Sequence, residues 1–271
     1  MTPPPVTLIP VPFRESVFPG DDLGEMLLRA LRTRKLALRS GDIVVVKHKI
    51  VSKAEGRLVD LTTVRPSVSG KRWSQRSGTD PRVVELAFRE SRAVVRKKVV
   101  GGHGVLITET HHGLVCANSG VDLSNVNGGK HALLLPKEPD KSALRLRSII
   151  KRKTSAEVAV IISDSFGRPW REGLTEVAIG VAGMKPLLDY RGKRDPHGYV
   201  LHATAEAVAD EVACAAGLVC GKLNGVPVCI VRGFRYEPGR GSARELVSLS
   251  TRIGLGSGVT VVTSRPAAAS R

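Results

Sequence analysis

The segment from Ser163 to Gly173, SDSFGRPWREG, carries the residue types best suited to chemistry, and it follows the apolar run from Val158 to Ile162. An acid at the end of a buried strand, beside a hydroxyl and ahead of arginines, is a common arrangement for holding Mg²⁺ against a phosphate. The hard cation takes carboxylate oxygens, and guanidinium groups bind phosphate oxygens in pairs. Asp164 and Ser165 are therefore candidate metal ligands. The alternative is a simple turn of the chain, in which Asp and Ser are frequent.

A second candidate ligand is Asp122, the only acid in the small, polar segment from Ala117 to Val126. If Asp122 and Asp164 came together, their charges would repel by about 4 kcal/mol at roughly 4 Å and an effective dielectric of about 20. A shared divalent cation would remove that repulsion, so the two acids together predict a metal site. The alternative for Asp122 with Asn125 is an Asx-turn, in which the side chain bonds to the nearby backbone.

Two lysine-containing segments are candidates for contacting a ligand. Lys53 lies in the segment VSKAEGR, where its ammonium group could meet a β- or γ-phosphate; the alternative is a solvent-exposed hairpin tip. Gly221-Lys222 looks like the end of a P-loop, but it follows a predicted helix and continues with Leu223 where a P-loop has Ser or Thr. The loop from Gly221 to Gly225 is therefore not a P-loop, although it remains a candidate ligand contact.

The elements that must position these residues are helices and strands in no strict alternation. Apolar residues at helical spacing predict a helix over 21–31 with Asp21 as its cap. Further helices are predicted over 81–92, 140–152 (capped by Asp140), 174–182 and 203–219, and strands over 43–46, 158–162, 226–231 and 259–262. A hairpin over 94–108 is predicted to turn at Gly101-Gly102, and polar loops are predicted over 62–79 and 190–199.

This mixture predicts an α+β fold and neither a Rossmann nor a P-loop fold. We expect two interleaved α+β subdomains of mixed sheets with flanking helices. The first is discontinuous, over residues 8–66 with 204–263, and the second, over 67–203, holds the proposed metal loops. Residues 1–7 and 264–271 are expected to be flexible tails.

Composition limits the partners. Against 25 acidic residues stand 42 lysines and arginines, a net charge of +17 that attracts polyanions. The alternative function on charge alone is a non-catalytic, basic nucleic-acid-binding protein. However, the basic residues are spread along the whole chain and are not interleaved with stacking aromatics, as single-strand binding would require. The four cysteines form no CxxC pair and lie in apolar surroundings, which favours buried free thiols.

The sequence contains no apolar run of eighteen residues and hence no expected membrane span. The first residues, Met1 to Pro12, lack a basic stretch followed by an apolar one, so they do not read as a secretory signal. We therefore expect a cytoplasmic protein.

Four segments in this order resemble the coenzyme F-420 precursor:L-glutamate ligase family, the γ-glutamyl ligases. The segments that carry the resemblance are Gly41-Asp42 with VSKAEGR at 51–57, NSGVDLSNV at 118–126, IISDSFGRPWR at 161–171 and VADE at 208–211. The resemblance runs from about position 10 to 233, most of the chain. It implies an enzyme that joins L-glutamate through a γ-glutamyl amide to the phospholactyl carboxylate of a deazaflavin, using GTP and Mg²⁺ or Mn²⁺, with K⁺ as a further candidate ion.

The resemblance also implies roles for individual residues. Asp122 and Asp164 match the family's metal ligands, with Ser165 beside a second ion. At Lys222 many members carry Gln or Glu that helps to hold this second ion, and an ammonium group cannot be a ligand while protonated. Either Lys222 supplies its own charge in place of that ion, or the ion is held differently. The residues implied in GTP binding are Arg14, Glu15, Ser16, Val17, His48, Lys49, Lys53, Asn125, Gly221, Lys222 and Gly225.

The implied reaction begins when GTP phosphorylates the precursor's carboxylate to an acyl phosphate, which the amine of glutamate then attacks. Lys53, Arg168 and Arg171 would neutralise charge on the transferring phosphoryl group. The implied partners are GTP, L-glutamate and a deazaflavin phosphodiester, and the implied assembly is a homodimer. Neither a membrane nor nucleic acid is expected as a partner.

Overall fold

The structure, a computed structural model, describes residues 4–100, 103–124 and 126–247 of the chain. Its helices are α1 Leu23–Thr33, α2 His48–Ala54, α3 Val68–Ser77, α4 Pro81–Arg89, α5 Pro139–Thr154 and α6 Val208–Cys220. Its strands are β1 Thr7–Val11, β2 Ile43–Lys47, β3 Leu58–Asp60, β4 Ser91–Val100, β5 His103–Thr110, β6 Val115–Ala117, β7 His131–Leu133, β8 Ala159–Arg168, β9 Arg171–Ala182, β10 Leu188–Asp189, β11 Ala205–Glu206 and β12 Val228–Arg232. The predicted α+β class is confirmed. Within the described ranges, no helix is long and apolar enough to cross a membrane.

The chain divides into two compact units. Among the described residues, the first unit comprises 4–57 and 136–246, and the second comprises 58–135 and residue 247. This division places residues 136–203 with the N-terminal segment, whereas the sequence prediction grouped 67–203 together. The reason is the pairing of β8 with β2, which joins residues 136–203 to the sheet of the first unit.

A five-stranded sheet in the order β1-β12-β2-β8-β9 organises the first unit. Only the β2–β8 pair is parallel among these neighbours. Strand β2 begins with four β-branched residues whose side chains are all buried, as expected for a central strand that is covered on both faces. One face packs on α6 through a core that includes Ile43, Ile161, Val212, Ala213 and Ala216.

The other helices of the first unit include α5, which packs on β8 and β9, and α1, which packs on α5. The close approach of α5 to the sheet depends on Gly180 in β9. A Cβ atom at this position would lie 2.6 Å from the carbonyl carbon of Pro139, the first residue of α5. Any larger residue would therefore push α5 away from the sheet.

The second unit combines α3 and α4 with two small sheets, β3-β7 and β4-β5-β6. Val83 and Leu86 of α4 pack with Leu61 and Leu134 in one apolar cluster. A neighbouring face of α4 contributes Val84 and Ala87 to a second cluster with Trp73 and Leu106. Helix α4 therefore links both small cores of this unit; its extent agrees with the predicted helix except at the last three residues.

Several predicted elements are wrong in type or extent. Residues 174–182 form strand β9 and not a helix; the β-branched residues Thr175, Val177, Ile179 and Val181 recur at every second position, which favours a strand. Strand β8 continues to Arg168 instead of ending at residue 162, because β9 pairs with its extension. The predicted loop over 62–79 contains α3, which begins where the Ser67 hydroxyl accepts a hydrogen bond from the Gly70 amide.

Two predicted caps are also wrong. The side chain of Asp22, and not that of Asp21, accepts hydrogen bonds from the first amides of α1. Asp140 lies inside the first turn of α5, where its carboxylate accepts from the amides of Val181 and Ala243 instead of capping the helix. The turn predicted at Gly101-Gly102 and the strand predicted over 259–262 lie outside the described residues, although β4 and β5 do pair as the predicted hairpin.

Candidate active site

One end of the five-stranded sheet gathers polar segments that are far apart in sequence. The registers place Val11, Val228, Val46 and Ile162 side by side on β1, β12, β2 and β8. The residues that follow β1 and β2, precede β12 and continue β8 beyond Ile162 therefore emerge at the same end. The Lys47 amide donates to the Pro227 carbonyl across 2.8 Å and closes this end between β2 and β12.

Glu176 of β9 is the centre of a polar network at this end. Its Oε1 lies 2.5 Å from the ammonium nitrogen of Lys47 and accepts from the Ser165 hydroxyl at 2.6 Å. Its Oε2 accepts from the Ser163 hydroxyl at 2.9 Å. The Lys222 ammonium group contacts the Ser165 hydroxyl and lies 3.7 Å from Glu176 Oε1. Two cationic groups and two hydroxyls thus surround one buried carboxylate.

Burial pushes the pKa of Glu176 upward, but hydrogen bonds from Lys47, Ser165 and Ser163 outweigh it and hold the pKa below its ordinary value of 4.5. The carboxylate is therefore ionised at neutral pH, as its partners require. Lys47 is almost covered, whereas the Lys222 side chain is 61% exposed. Of the two ammonium groups, Lys222 is the one that can turn toward a bound ligand.

The carboxylate of Asp164 lies next to His48. Its Oδ1 lies 3.1 Å from Nε2 of His48, although the imidazole ring is not aligned for a hydrogen bond, and it accepts from the Ser165 amide at 2.7 Å. His48 is buried at the start of α2, with Nδ1 3.3 Å from the Ser52 hydroxyl. The predicted ligand Asp164 and the predicted nucleotide contact His48 thus lie together at the end of the sheet.

Asp122 belongs to the second unit. The preceding turn is fixed by Ser119, whose amide donates to the Thr108 hydroxyl at 2.9 Å and whose hydroxyl donates to the Ala87 carbonyl at 2.7 Å. Asp122 forms the Asx-turn named above as the alternative: Oδ1 accepts from the Ser124 amide at 2.7 Å. An ionised carboxylate has about four acceptor positions, so this turn is compatible with metal binding. Asn125 lies outside the described residues.

The donor types fit a hard cation, because Asp122, Asp164 and Ser165 offer carboxylate and hydroxyl oxygens. Across the described part of the chain, no three His, Cys, Asp or Glu side chains cluster closely enough to hold a metal ion by themselves. Ser165 is a poorer candidate as a metal ligand, because its hydroxyl donates to Glu176 and contacts the Lys222 ammonium group. A shared cation at Asp122 and Asp164 stays a prediction.

The other predicted nucleotide contacts come from three segments of the first unit. Lys49 and Lys53 lie on α2, so the hairpin-tip alternative for Lys53 is wrong; burial and the charge of Lys49 lower the pKa of Lys53. The loop from Gly221 to Gly225 has positive φ at both glycines and carries Lys222 to Ser165.

The third segment, Arg14 to Val17, follows β1. Arg14, Glu15 and Ser16 are exposed, and Val17 is buried. Both carboxylate oxygens of Glu15 accept from Nη1 of Arg29 on α1. A groove of about 430 Å³ lies beside this pair, lined by Pro12, Phe13, Arg14, Glu15, Met26, Arg29, Ala30, Thr33 and Arg34.

The two predicted phosphate-binding arginines flank the turn between β8 and β9. Arg168 and Arg171 face each other in the strand register. Arg168 donates from Nη2 to the Glu172 carbonyl at 3.2 Å, while its buried Nε has no hydrogen-bond partner in the described part of the chain. Arg171 is exposed. Both guanidinium groups therefore retain donors for an anion.

No role is predicted from the sequence for Lys47, Ser163 or Glu176. Lys47 follows the predicted strand over 43–46, Ser163 begins the segment that holds the candidate ligands Asp164 and Ser165, and Glu176 falls within the predicted helix over 174–182. The available signal was Glu176 itself, a charged residue within an otherwise apolar run that ends in Val177 to Ala182. Once those residues form a strand paired with β8, Glu176 must lie opposite Ser165.

Comparison with known proteins identifies the family of the chain. The family model for F420-0:gamma-glutamyl ligase matches residues 14–233. A protein of Methanothermobacter thermautotrophicus called coenzyme F420:L-glutamate ligase is 44% identical over 232 residues, 85% of this chain and 90% of its own length. Proteins of the same name from Methanopyrus kandleri and Methanocaldococcus jannaschii are 43% and 40% identical, covering 86% and 83% of this chain and 89% and 88% of their own lengths. The chain therefore belongs to the F420-0:gamma-glutamyl ligase family.

Proposed function

We propose that this protein is a GTP-dependent ligase that forms a γ-glutamyl amide between L-glutamate and the carboxylate of a phospholactyl deazaflavin. Family membership supports the ligase class. The observation that carries the proposal is the charged end of the sheet, where Asp164 and His48 lie with the Glu176 network and its Lys222. Lys53 on α2 and the arginine pair at the β8–β9 turn add further positive charge to the first unit. All three substrates are anions, and a site rich in positive charge suits them.

The proposed reaction has two steps. A carboxylate oxygen of the precursor attacks the γ-phosphorus of GTP, a P–O bond forms, and the bond to the β-phosphate oxygen breaks to release GDP. The ammonium group of glutamate first loses a proton to solvent, and the neutral amine then attacks the acyl carbon. The C–O bond to phosphate breaks, and the released phosphate takes up the second proton that the nitrogen loses as the amide forms. A carboxylate is a poor electrophile, and phosphorylation supplies the leaving group.

The cationic side chains stabilise the charge that develops during phosphoryl transfer. Such transfer depends mainly on positioning and electrostatic stabilisation. In this proposal Lys53 meets the triphosphate from α2, and Arg168 and Arg171 meet it or the precursor's phosphodiester from the β8–β9 turn. The low pKa of Lys53 relative to an exposed lysine indicates that burial has already removed part of its hydration.

A divalent cation, Mg²⁺ or Mn²⁺, would be held by Asp164 and Asp122 and would neutralise phosphate oxygens when bound. At Ser165 we propose that the Lys222 ammonium group supplies the positive charge in place of a second ion. The support is the contact of Lys222 with the Ser165 hydroxyl and its position 3.7 Å from the Glu176 carboxylate.

Mass spectrometry of the product tests the function. The protein is incubated with deazaflavin precursor, GTP, Mn²⁺ and glutamate, and the expected product is heavier than the precursor by one or more glutamyl residues. Formation of GDP over many turnovers must require both precursor and glutamate. A precursor of unchanged mass would contradict the proposal.

The net charge of +17 supports a second candidate, a non-catalytic nucleic-acid-binding protein. That function predicts tight binding to generic nucleic acid that weakens steeply with salt and no turnover of GTP. A gel-shift assay at two salt concentrations beside the GDP-release assay separates the two candidates.

A further inference from the structure

Trp170 occupies an unusual position at the turn between β8 and β9. Its side chain is 92% exposed, and its backbone φ is 56°, in the left-handed region that bulky residues seldom adopt. The chain's other tryptophan, Trp73, is 5% exposed in a core of the second unit. Exposing a large aromatic ring in a strained turn stabilises nothing within the first unit, which indicates a role in contacting a ligand.

The surroundings of Trp170 select an anionic ligand. Arg168 and Arg171 flank it on the two strands, and the buried Nε of Arg168 has no hydrogen-bond partner among the described residues. A ligand that carries both a flat aromatic ring and a negative charge can stack on Trp170 and pair with the two arginines.

The distance along the β8–β9 hairpin between the arginine pair and the Glu176 network can be spanned by a long substrate. The Ser165–Glu176 pair and the Arg168–Arg171 pair lie three residues apart on β8. At about 3.3 Å per residue, the strand separates them by roughly 10 Å. A ligand whose ring rests at the turn can therefore extend a side chain along the hairpin to the polar network at Glu176.

We propose that Trp170 is the stacking surface for the tricyclic ring of the deazaflavin substrate, and that Arg168 and Arg171 bind the phosphodiester of the same molecule. This inference rests on the proposed function and adds the place where the ring of the deazaflavin substrate binds. Indole stacks well on flat conjugated rings, and stacking on aromatic side chains is worth about 1–3 kcal/mol per base in nucleic-acid complexes.

Steady-state kinetics of the full chain test the proposal. Trp170→Ala is expected to raise KM for the deazaflavin precursor by about tenfold or more, leaving KM for GTP unchanged. Trp170→Phe keeps an aromatic face and is expected to restore most of the affinity. Leu218→Ala is the matched control, because Leu218 on α6 is also highly exposed, at 82%, and has no assigned role.

Fluorescence gives a readout that does not depend on turnover. Titrating precursor into the wild-type protein without GTP is expected to quench the emission of Trp170. The Trp170→Ala protein reports the smaller quenching of Trp73 and serves as the background. Equal quenching in both proteins would overturn the proposal.

Two further outcomes would also overturn it. One is an unchanged KM for the precursor in Trp170→Ala, with wild-type product formation intact; that result rejects the ring site and leaves the ligase function standing. The other is a wild-type dimer that Trp170→Ala converts to monomers while KM for the precursor stays constant, which would assign Trp170 to an interface between copies. Absence of product from the wild-type protein, by contrast, rejects the ligase function itself.

Discussion

The ammonium nitrogen of Lys47 lies 2.5 Å from Oε1 of Glu176, and both side chains are largely withdrawn from solvent. Lys47 ends β2 and Glu176 lies on β9, so the pair bridges the intervening strand β8, whose Ser163 and Ser165 also bind the carboxylate. A buried charge pair of this kind costs desolvation energy that only good geometry offsets. A costly ion pair at this end of the sheet indicates that the end serves a function and not stability alone.

Removing the carboxylate alone should destabilise the protein. Glu176→Ala leaves the Lys47 charge and two serine hydroxyls in a covered position without their acceptor. Loss of one member of a buried ion pair typically costs about 3–5 kcal/mol, and urea unfolding should show a loss of this order. The Lys47→Met, Glu176→Leu double variant is the control: it removes both charges, so it should lose less stability than Glu176→Ala, although the two serine hydroxyls still lack their acceptor. A single variant as stable as the wild type would contradict the described network.

The same carboxylate predicts how stability depends on pH. The folded-state pKa of Glu176 is lowered below 4.5, so the folded state binds the proton less readily than the unfolded state does. The resulting stabilisation is complete well above pH 4.5 and is lost as the pH falls below 4.5 and through the lowered folded-state pKa. Other acids titrate in the same range, for example Glu85 and Glu237, whose pKa values are also lowered.

Comparison with Glu176→Gln isolates this contribution. Urea unfolding of both proteins from pH 7 down to acidic pH should show a steeper loss of stability in the wild type, because the variant lacks the titrating carboxylate. The free energies of unfolding should converge at low pH. Parallel curves over the whole range would mean that the Glu176 pKa is the same in the folded and unfolded states.

Asp164 provides the most direct test of catalysis. Asp164→Asn keeps the side-chain shape but removes the negative charge beside His48, and it replaces a charged carboxylate ligand with a neutral amide oxygen that holds a cation less strongly. GDP release that depends on precursor and glutamate should fall by at least about 100-fold, the scale of losing a principal electrostatic group. Circular dichroism should show an unchanged fold.

The matched control is Asp189→Asn, an exposed acid paired with Arg191 and outside the proposed site; it should retain wild-type turnover. Asp122→Asn is expected to behave like Asp164→Asn if both acids share the cation. Near-wild-type turnover in both Asp122→Asn and Asp164→Asn would remove them from the proposed metal site.

The sequence predicts the correct helix or strand where the local pattern and the tertiary environment favour the same element. The helical spacing of Leu23, Met26 and Leu27 placed α1 within two residues of its true bounds, and the run from Ile43 to Val46 identified β2. In both segments the local spacing of apolar residues alone determines the element, so the rest of the fold does not have to be known. The α+β class followed from elements of this kind.

Glu176 shows why the rest could not be predicted. The segment TEVAIGVA is predicted as an apolar helix on its Ala and Gly content, although its alternating β-branched residues favour a strand. That alternation does not say which strand it pairs with, and the structure pairs it with β8. The network of Lys47, Ser163, Ser165 and Glu176 depends on that pairing, which no local pattern specifies. Asp164 and His48 were identified separately, yet their proximity requires the parallel register of β2 and β8. The homodimer, the bound nucleotide and the cytoplasmic location stay predictions.

Lys222 provides the sharpest test of how positive charge is supplied at Ser165. If its ammonium group replaces a second divalent ion, the wild-type protein with saturating GTP should bind a single Mn²⁺ tightly. Lys222→Gln offers a neutral amide oxygen next to the Ser165 hydroxyl and Glu176, so a second Mn²⁺ should now bind. Mn²⁺ titration followed by electron paramagnetic resonance counts the bound ions without reference to activity.

Lys222→Arg is the control, because it keeps the positive charge and should still exclude the second ion. The Lys222 side chain is 61% exposed, so neither substitution should unfold the protein, and thermal melts can verify this. Two tightly bound ions in the wild type would mean that Lys222 swings away from Ser165 when the nucleotide binds. The ammonium would then be a phosphate contact and not a substitute for the metal.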